Sequence, residues 1–143
     1  SSTFWTERIG PTSAIKTLEI MEREKSWEAI TETGKSIKNK WKNLAEKHEL
    51  KIRTMGLPAL SGFTFDHKDS DCYKTLITQE MLKKGFLAGN SIYACTEHSS
   101  EIIKAYFDAL DPIFELISSC QNGLDVNSLL ETSVCHNGFK RLN

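Results

Sequence analysis

The chain has 143 residues, the length of one ordinary domain, with 39% hydrophobic and 26% charged residues, a globular and water-soluble composition. Its net charge of −1 excludes a broad electrostatic footprint for nucleic acid or an anionic membrane. No apolar run approaches the roughly 20 residues that span a bilayer, and SSTFWTERIG at the start lacks the basic and apolar regions of a signal peptide.

The opening stretch crowds Ser and Thr hydroxyls together with Phe4 and Trp5. Hydroxyls and free backbone N–H groups ahead of a helix suit an anion. The same residues also suit a turn in which they bond their own backbone. Gly10-Pro11 then marks a helix start, since Pro fits the first helical position. Ala14, Ile15, Leu18 and Met21 follow on one helical face, and Glu22 to Lys25 close the helix in solvent.

Ser26 is placed to cap a second helix. Along it Trp27, Ile30, Gly34, Ile37, Trp41 and Leu44 step by three and four, a stripe that reads as core packing with His48 at its edge. The basic run from Lys35 to Lys42 is its solvated face. Pro58 and the flanking glycines exclude a helix next, and residues 51–55 and 60–65 read as two short strands, with Phe63 and Phe65 on one face and Thr64 on the other. HKDSD is a polar loop. Tyr73, Leu76, Ile77, Met81 and Leu82 mark a third helix, stopped at Gly85. FLAGNSIYAC reads as two further strand-like pieces around Gly89-Asn90. Ser99 caps a fourth helix running from Ile102 to Ile117, which Pro112 interrupts or kinks. A short helix near 125–131 and the tail VCHNGFKRLN end the chain. Helices interleaved with four short strands predict a single α+β domain, a small sheet with packed helices.

Cys72, Cys95, Cys120 and Cys135 form no CxxC pair, and a chain of this size needs no disulfide staples. They read as reduced, mostly buried thiols of a cytoplasmic protein, and no metal site is expected. Dinucleotide, P-loop, zincin and nucleophile-elbow motifs are absent. Asp66, Asp69 and Asp71 lack the Gly and Glu of a calcium loop.

Five stretches carry a resemblance. SSTFWTERIGPTSAIKTLEIME, GLPALSGFTFD, TQEMLKKGFLAGNSIYAC, EHSSEII and HNGFKRLN span nearly the whole chain in order. Together they resemble the C-terminal part of class III aminotransferases dependent on pyridoxal 5'-phosphate (PLP), in the branch similar to glutamate-1-semialdehyde aminomutase. The resemblance implies a fold-type I enzyme. A large domain holds the cofactor, and a C-terminal small domain with an antiparallel sheet closes over the site. It also implies a homodimer with each site at the subunit interface, and a small-molecule amino donor and carbonyl acceptor, or transfer within one substrate. Residues 1–25 would be an interface segment and connecting helix, and residues 26–143 the small domain.

The family's GTLSGNP-like stretch supplies a Thr to the cofactor phosphate of the neighbouring subunit. Without gaps, Thr3 falls on that Thr and Ser2 on the Gly before it, so Ser2 would act through its backbone N–H. The chain departs from the pattern where Trp5 and Thr6 replace Ser and Gly and Arg8 replaces Pro, leaving Thr6 as an alternative hydroxyl. Arg8 is a candidate for the cofactor phosphate or a substrate carboxylate, or for an ion pair with Glu7. No catalytic residue is expected in the chain itself. The family's Schiff-base Lys precedes this start, and none of the lysines here lies in the apolar setting that such a residue needs. The chain alone is therefore expected to be an inactive C-terminal portion. The competing expectation is a stand-alone α+β interaction or regulatory domain.

Overall fold

The computed structural model describes residues 6–136. Helix α1 (Ile9–Glu24) is followed by α2 (Ser26–Lys47), strands β1 (Ile52–Met55) and β2 (Leu60–Phe65), helix α3 (Ser70–Lys83), strand β3 (Ser91–Tyr93), helix α4 (Ser100–Gln121) and a 3-10 turn (Val126–Leu129). The strands form one antiparallel sheet in the order β1-β2-β3, with Ile52 opposite Phe65 and Leu60 opposite Tyr93. This is the expected α+β architecture, with three strands in place of four among the described residues. Of FLAGNSIYAC, only Ser91–Tyr93 enters the sheet. Residues 86–89 take no strand, and Phe86 and Ala88 instead pack against the core.

Alternation along β2 sorts the sheet into two faces. Ser61, Phe63 and Phe65 point into the core. There Phe63 meets Trp41 of α2 at 4.8 Å between ring centroids and Phe114 of α4 at 5.9 Å, while Phe65 meets Tyr73 of α3 at 5.4 Å. Tilted and edge-on pairs of this kind add to the area they bury. Inside this packing the Trp41 indole N–H donates to the Tyr106 hydroxyl at 3.2 Å. The outer face carries Arg53, Met55, Leu60 and Tyr93, all exposed.

The stripe of α2 packs as its spacing requires, with Gly34, Ile37, Trp41 and Leu44 buried, while Trp27 at its start stays exposed. Gly34 has a local reason. A Cβ there would lie 1.9 Å from the Pro58 carbonyl oxygen, so the turn between β1 and β2 seats directly on the helix. The buried Ser61 hydroxyl donates to that same carbonyl at 2.9 Å, and Lys38 donates to the Gly56 carbonyl beside it.

Several expectations are corrected. Ser26 does not cap α2. Lys25 stands at the N-cap in the left-handed region (φ 47°, ψ 43°), so α1 and α2 meet at one residue, and Ser26 lies inside the helix with its hydroxyl buried. Ser99 does cap α4, accepting from the Ile102 N–H at 3.3 Å. Pro112 does not interrupt α4. Proline removes the donor that the Asp108 carbonyl would use, and both residues are exposed, so water can serve that carbonyl. Helix α3 begins inside the HKDSD loop, and Leu82 faces solvent while Met81 takes the core position. Three cysteines are half-buried and Cys95 is exposed, so the thiols are free but not buried.

Among the described residues no helix is long and apolar enough to cross a membrane. Nor do three or more His, Cys, Asp or Glu side chains gather into a metal site there.

Candidate functional site

Of the residues assigned to an anion, Thr6 and Arg8 are described and stand at the start of α1. Ser2 and Thr3 lie outside the described residues. Both Thr6 and Arg8 are exposed. Arg8 occupies the N-cap of α1, and its carbonyl accepts from the Thr12 N–H at 2.9 Å. Neither a side-chain cap nor an acidic residue in the first turn satisfies the helix start. Pro11 has no N–H to orphan, and a Cβ on Gly10 would meet nothing within 4 Å. An uncapped helix start of this kind presents free N–H groups and positive potential to an approaching anion. Arg8 forms no ion pair with Glu7 or any other acid among the described residues, so its guanidinium adds to that potential.

Among the described residues, the apolar stripe of the same helix is largely uncovered. Helix α1 buries no residue, and Ile15 and Leu18 are 61% and 65% exposed.

Elsewhere the concavities are small. A cleft of about 270 Å³ opens between β3, α4 and α2, lined mainly by Ile37, Ile92, Ile103 and Tyr106 with Ser91 and His98 as polar groups. His98 Nδ1 accepts from the Cys95 N–H at 3.1 Å, which fixes the ring. Burial pushes the Tyr106 hydroxyl up to about 12, so it remains a neutral partner for Trp41. On the opposite edge Asp111 of α4 receives Lys47 and His48, each at 2.5 Å. Those two bonds hold its carboxyl below the ordinary range. His48 is thus more than the packing edge its spacing suggested. Its partner lies 63 residues away, a pairing that helical periodicity does not encode.

No described lysine is buried. Lys38 and Lys74 are half-buried, and the ammonium of exposed Lys40 lies 5.8 Å from the Phe107 ring centroid. A lysine with a lowered pKa, as carbonyl condensation demands, needs desolvation, and the described residues offer no such position.

No family model matches the chain. Over 79 residues, 55% of its length, the chain is 29% identical to the 3-aminobutyryl-CoA aminotransferase of Cloacimonas acidaminovorans (strain Evry), covering 19% of that protein. It also superposes on the FumI protein of Sphingopyxis sp. MTA144, solved in its PLP internal aldimine form. The TM-score is 0.71 over 89% of this chain and 31% of that one, at 18% identity. The chain thus spans 19% of the curated relative and 31% of the solved structure it matches. Its fold is that of the matched part of the FumI protein.

Proposed function

We propose that this chain is the C-terminal, small-domain portion of a class III aminotransferase dependent on pyridoxal 5'-phosphate, in the branch similar to glutamate-1-semialdehyde aminomutase. The observation that carries the reading is the structural likeness over 89% of the chain to a PLP-bound protein of which it covers 31%. The bare apolar face of α1 supports it, because a helix that buries nothing here needs the remainder of a longer protein, or a second copy, to cover it. In this reading residues 1–25 form the interface segment and connecting helix, and 26–143 form the small domain that closes over the site. The enzyme works as a cytoplasmic homodimer on a small-molecule amino donor and a carbonyl acceptor, or moves an amino group within one substrate.

The residues present fit a phosphate-bearing cofactor. The uncapped start of α1, free of acidic side chains, offers N–H donors to a phosphate, and Arg8 adds a fixed positive charge. When bound, the cofactor supplies an electron sink for the carbon that bears the amino group. Thr3 would donate its hydroxyl and Ser2 its backbone N–H to the cofactor phosphate of the neighbouring subunit. Arg8 orients either that phosphate or a substrate carboxylate. The small domain excludes water from the closed site. The lysine that holds the cofactor covalently belongs to the remainder of the enzyme.

The test uses the full-length protein. Replacement Thr3→Ala should weaken PLP binding about tenfold, as expected for one hydrogen bond to a charged group, read by absorbance titration. Arg8→Ala should raise the KM for a carboxylate substrate more than it lowers kcat, or weaken PLP as Thr3→Ala does. A full-length protein that binds no PLP, or unchanged PLP affinity and KM in both variants, overturns the assignment. The 143-residue chain alone, mixed with PLP and borohydride, should show no adduct on one specific lysine.

A further inference from the structure

After the 3-10 turn the chain doubles back along α3 as a strap, held by one edge of that helix. At one end Gln79 donates to the Leu129 carbonyl at 3.0 Å and accepts from the Glu131 N–H at 2.7 Å, and Lys83 pairs with Glu131 at 2.6 Å. At the other end the Thr75 hydroxyl accepts from the Cys135 N–H at 2.9 Å. Thr75, Gln79 and Lys83 are spaced by four, so they stack on one edge of the helix, and the strap descends that edge antiparallel to α3. Three positions before Thr75 the same edge presents Cys72. The Cys135 sulfur already lies there, 3.5 Å from the Asp71 carbonyl oxygen, whose carbonyl carbon is bonded to the Cys72 nitrogen. Both thiols are half-buried and free. Disulfides need Cα atoms about 4.4–6.8 Å apart, and the Cys135 sulfur rests against the backbone carbonyl joined directly to Cys72.

We propose that Cys72 and Cys135 are a redox clasp, which closes as a disulfide and fixes the strap to the first turn of α3. The oxidant is a small disulfide such as oxidised glutathione. One protein thiolate attacks it, a glutathione thiolate leaves, and a mixed disulfide forms. The second protein sulfur then displaces the remaining glutathione. Two protein thiols are oxidised, the two electrons pass to glutathione, and the two protons end on its two thiols. Burial above all, with Asp69, Asp71 and Cys135 adding to it, raises the Cys72 thiol above its ordinary value. The open clasp therefore carries a protonated Cys72 at neutral pH. Neither cysteine belongs to the cofactor reading above, so the clasp stands or falls apart from it.

The full-length protein is equilibrated in glutathione buffers of graded ratio, alkylated and mapped by peptide mass spectrometry. One intramolecular link, Cys72 to Cys135, is the expected product. It disappears in Cys72→Ser and in Cys135→Ser, and survives in Cys95→Ser and Cys120→Ser. Amide exchange across residues 131–136 slows about tenfold on closure. A link from Cys135 to Cys95 or Cys120 overturns the proposal, and so does persistence of separate glutathione adducts, or free thiols at Cys72 and Cys135, under fully oxidising ratios. The wild-type map decides by itself, so a variant that fails to fold leaves the test intact.

Discussion

Helices α1 and α2 are neighbours in the chain, joined through a single residue, and both carry an apolar stripe at helical spacing. In α2 the stripe closes on the sheet and on α4, and Trp41 is fully buried. In α1, among the described residues, none of the sixteen positions is buried. Periodicity therefore identifies a helix and the face it will bury, but it does not say whether the burying partner lies in the same folded unit. The difference separates what this unit holds together by itself from what it offers to something else.

Paired substitutions test that separation, beginning with the largest effect. Trp41→Ala removes a fully buried ring and the partner of Tyr106 and should destabilise the chain by about 3–5 kcal/mol in urea unfolding. Leu18→Ala should change stability by less than about 0.5 kcal/mol in the 143-residue chain. Its effect should emerge only where the α1 face is covered, as a loss of assembly or activity in the full-length protein. If Leu18→Ala destabilises the chain as strongly as Trp41→Ala, the contrast between the helices collapses.

The glycines sharpen the same contrast. Gly34→Ala forces a methyl group into the Pro58 backbone and should cost about 3 kcal/mol or more, since neither backbone can give way easily. Gly10→Ala meets open space and should be neutral or slightly stabilising through helix propensity. Equal melting temperatures for the two variants would refute the close seating of the turn on α2.

Charge gives the smallest effect. Lys47 and His48 hold the Asp111 carboxyl below its ordinary value of 3.8. A depressed folded-state value contributes stability that is fully present above the unfolded value and is lost as pH falls through the folded one. Asp111→Asn should cost less than about 1 kcal/mol at neutral pH because the carboxylate is partly exposed. The difference from wild type should vanish in strong acid. On α1 the exposed Lys16–Glu19 pair should show almost no effect on Glu19→Gln. A larger effect at Glu19 than at Asp111 would reverse the ranking.

Much of the architecture was legible because it depends on local periodicity. Phe63 and Phe65 alternate with Thr64, the Ser99 cap follows from chemistry within three residues, and the α2 stripe needs only spacing. The misread features depend on tertiary context. Ser26 has a capping side chain, but the left-handed Lys25 places it inside the helix. Residues 86–89 have strand-like composition, yet Phe86 and Ala88 pack on the core while the backbone forms no ladder. Gly34 looked like an ordinary stripe position, and only the Pro58 carbonyl explains the missing side chain. At the candidate site, Arg8 and Thr6 lie among the described residues and are exposed, whereas Thr3 and Ser2 lie outside them and rest on the resemblance alone.

The corner at Lys25 has a mechanical side. Helix α2 is 22 residues long, roughly 33 Å at the usual rise per residue. A rotation of about 10° in the torsions of that one residue would sweep the far end of α2 through roughly 6 Å. Because α2 is bonded into the sheet turn through Lys38 and Ser61, and into α4 through Trp41 and His48, the packed unit travels with it as one body. The torsions of Lys25 (φ 47°, ψ 43°) thus set the direction in which α1 leaves the packed unit.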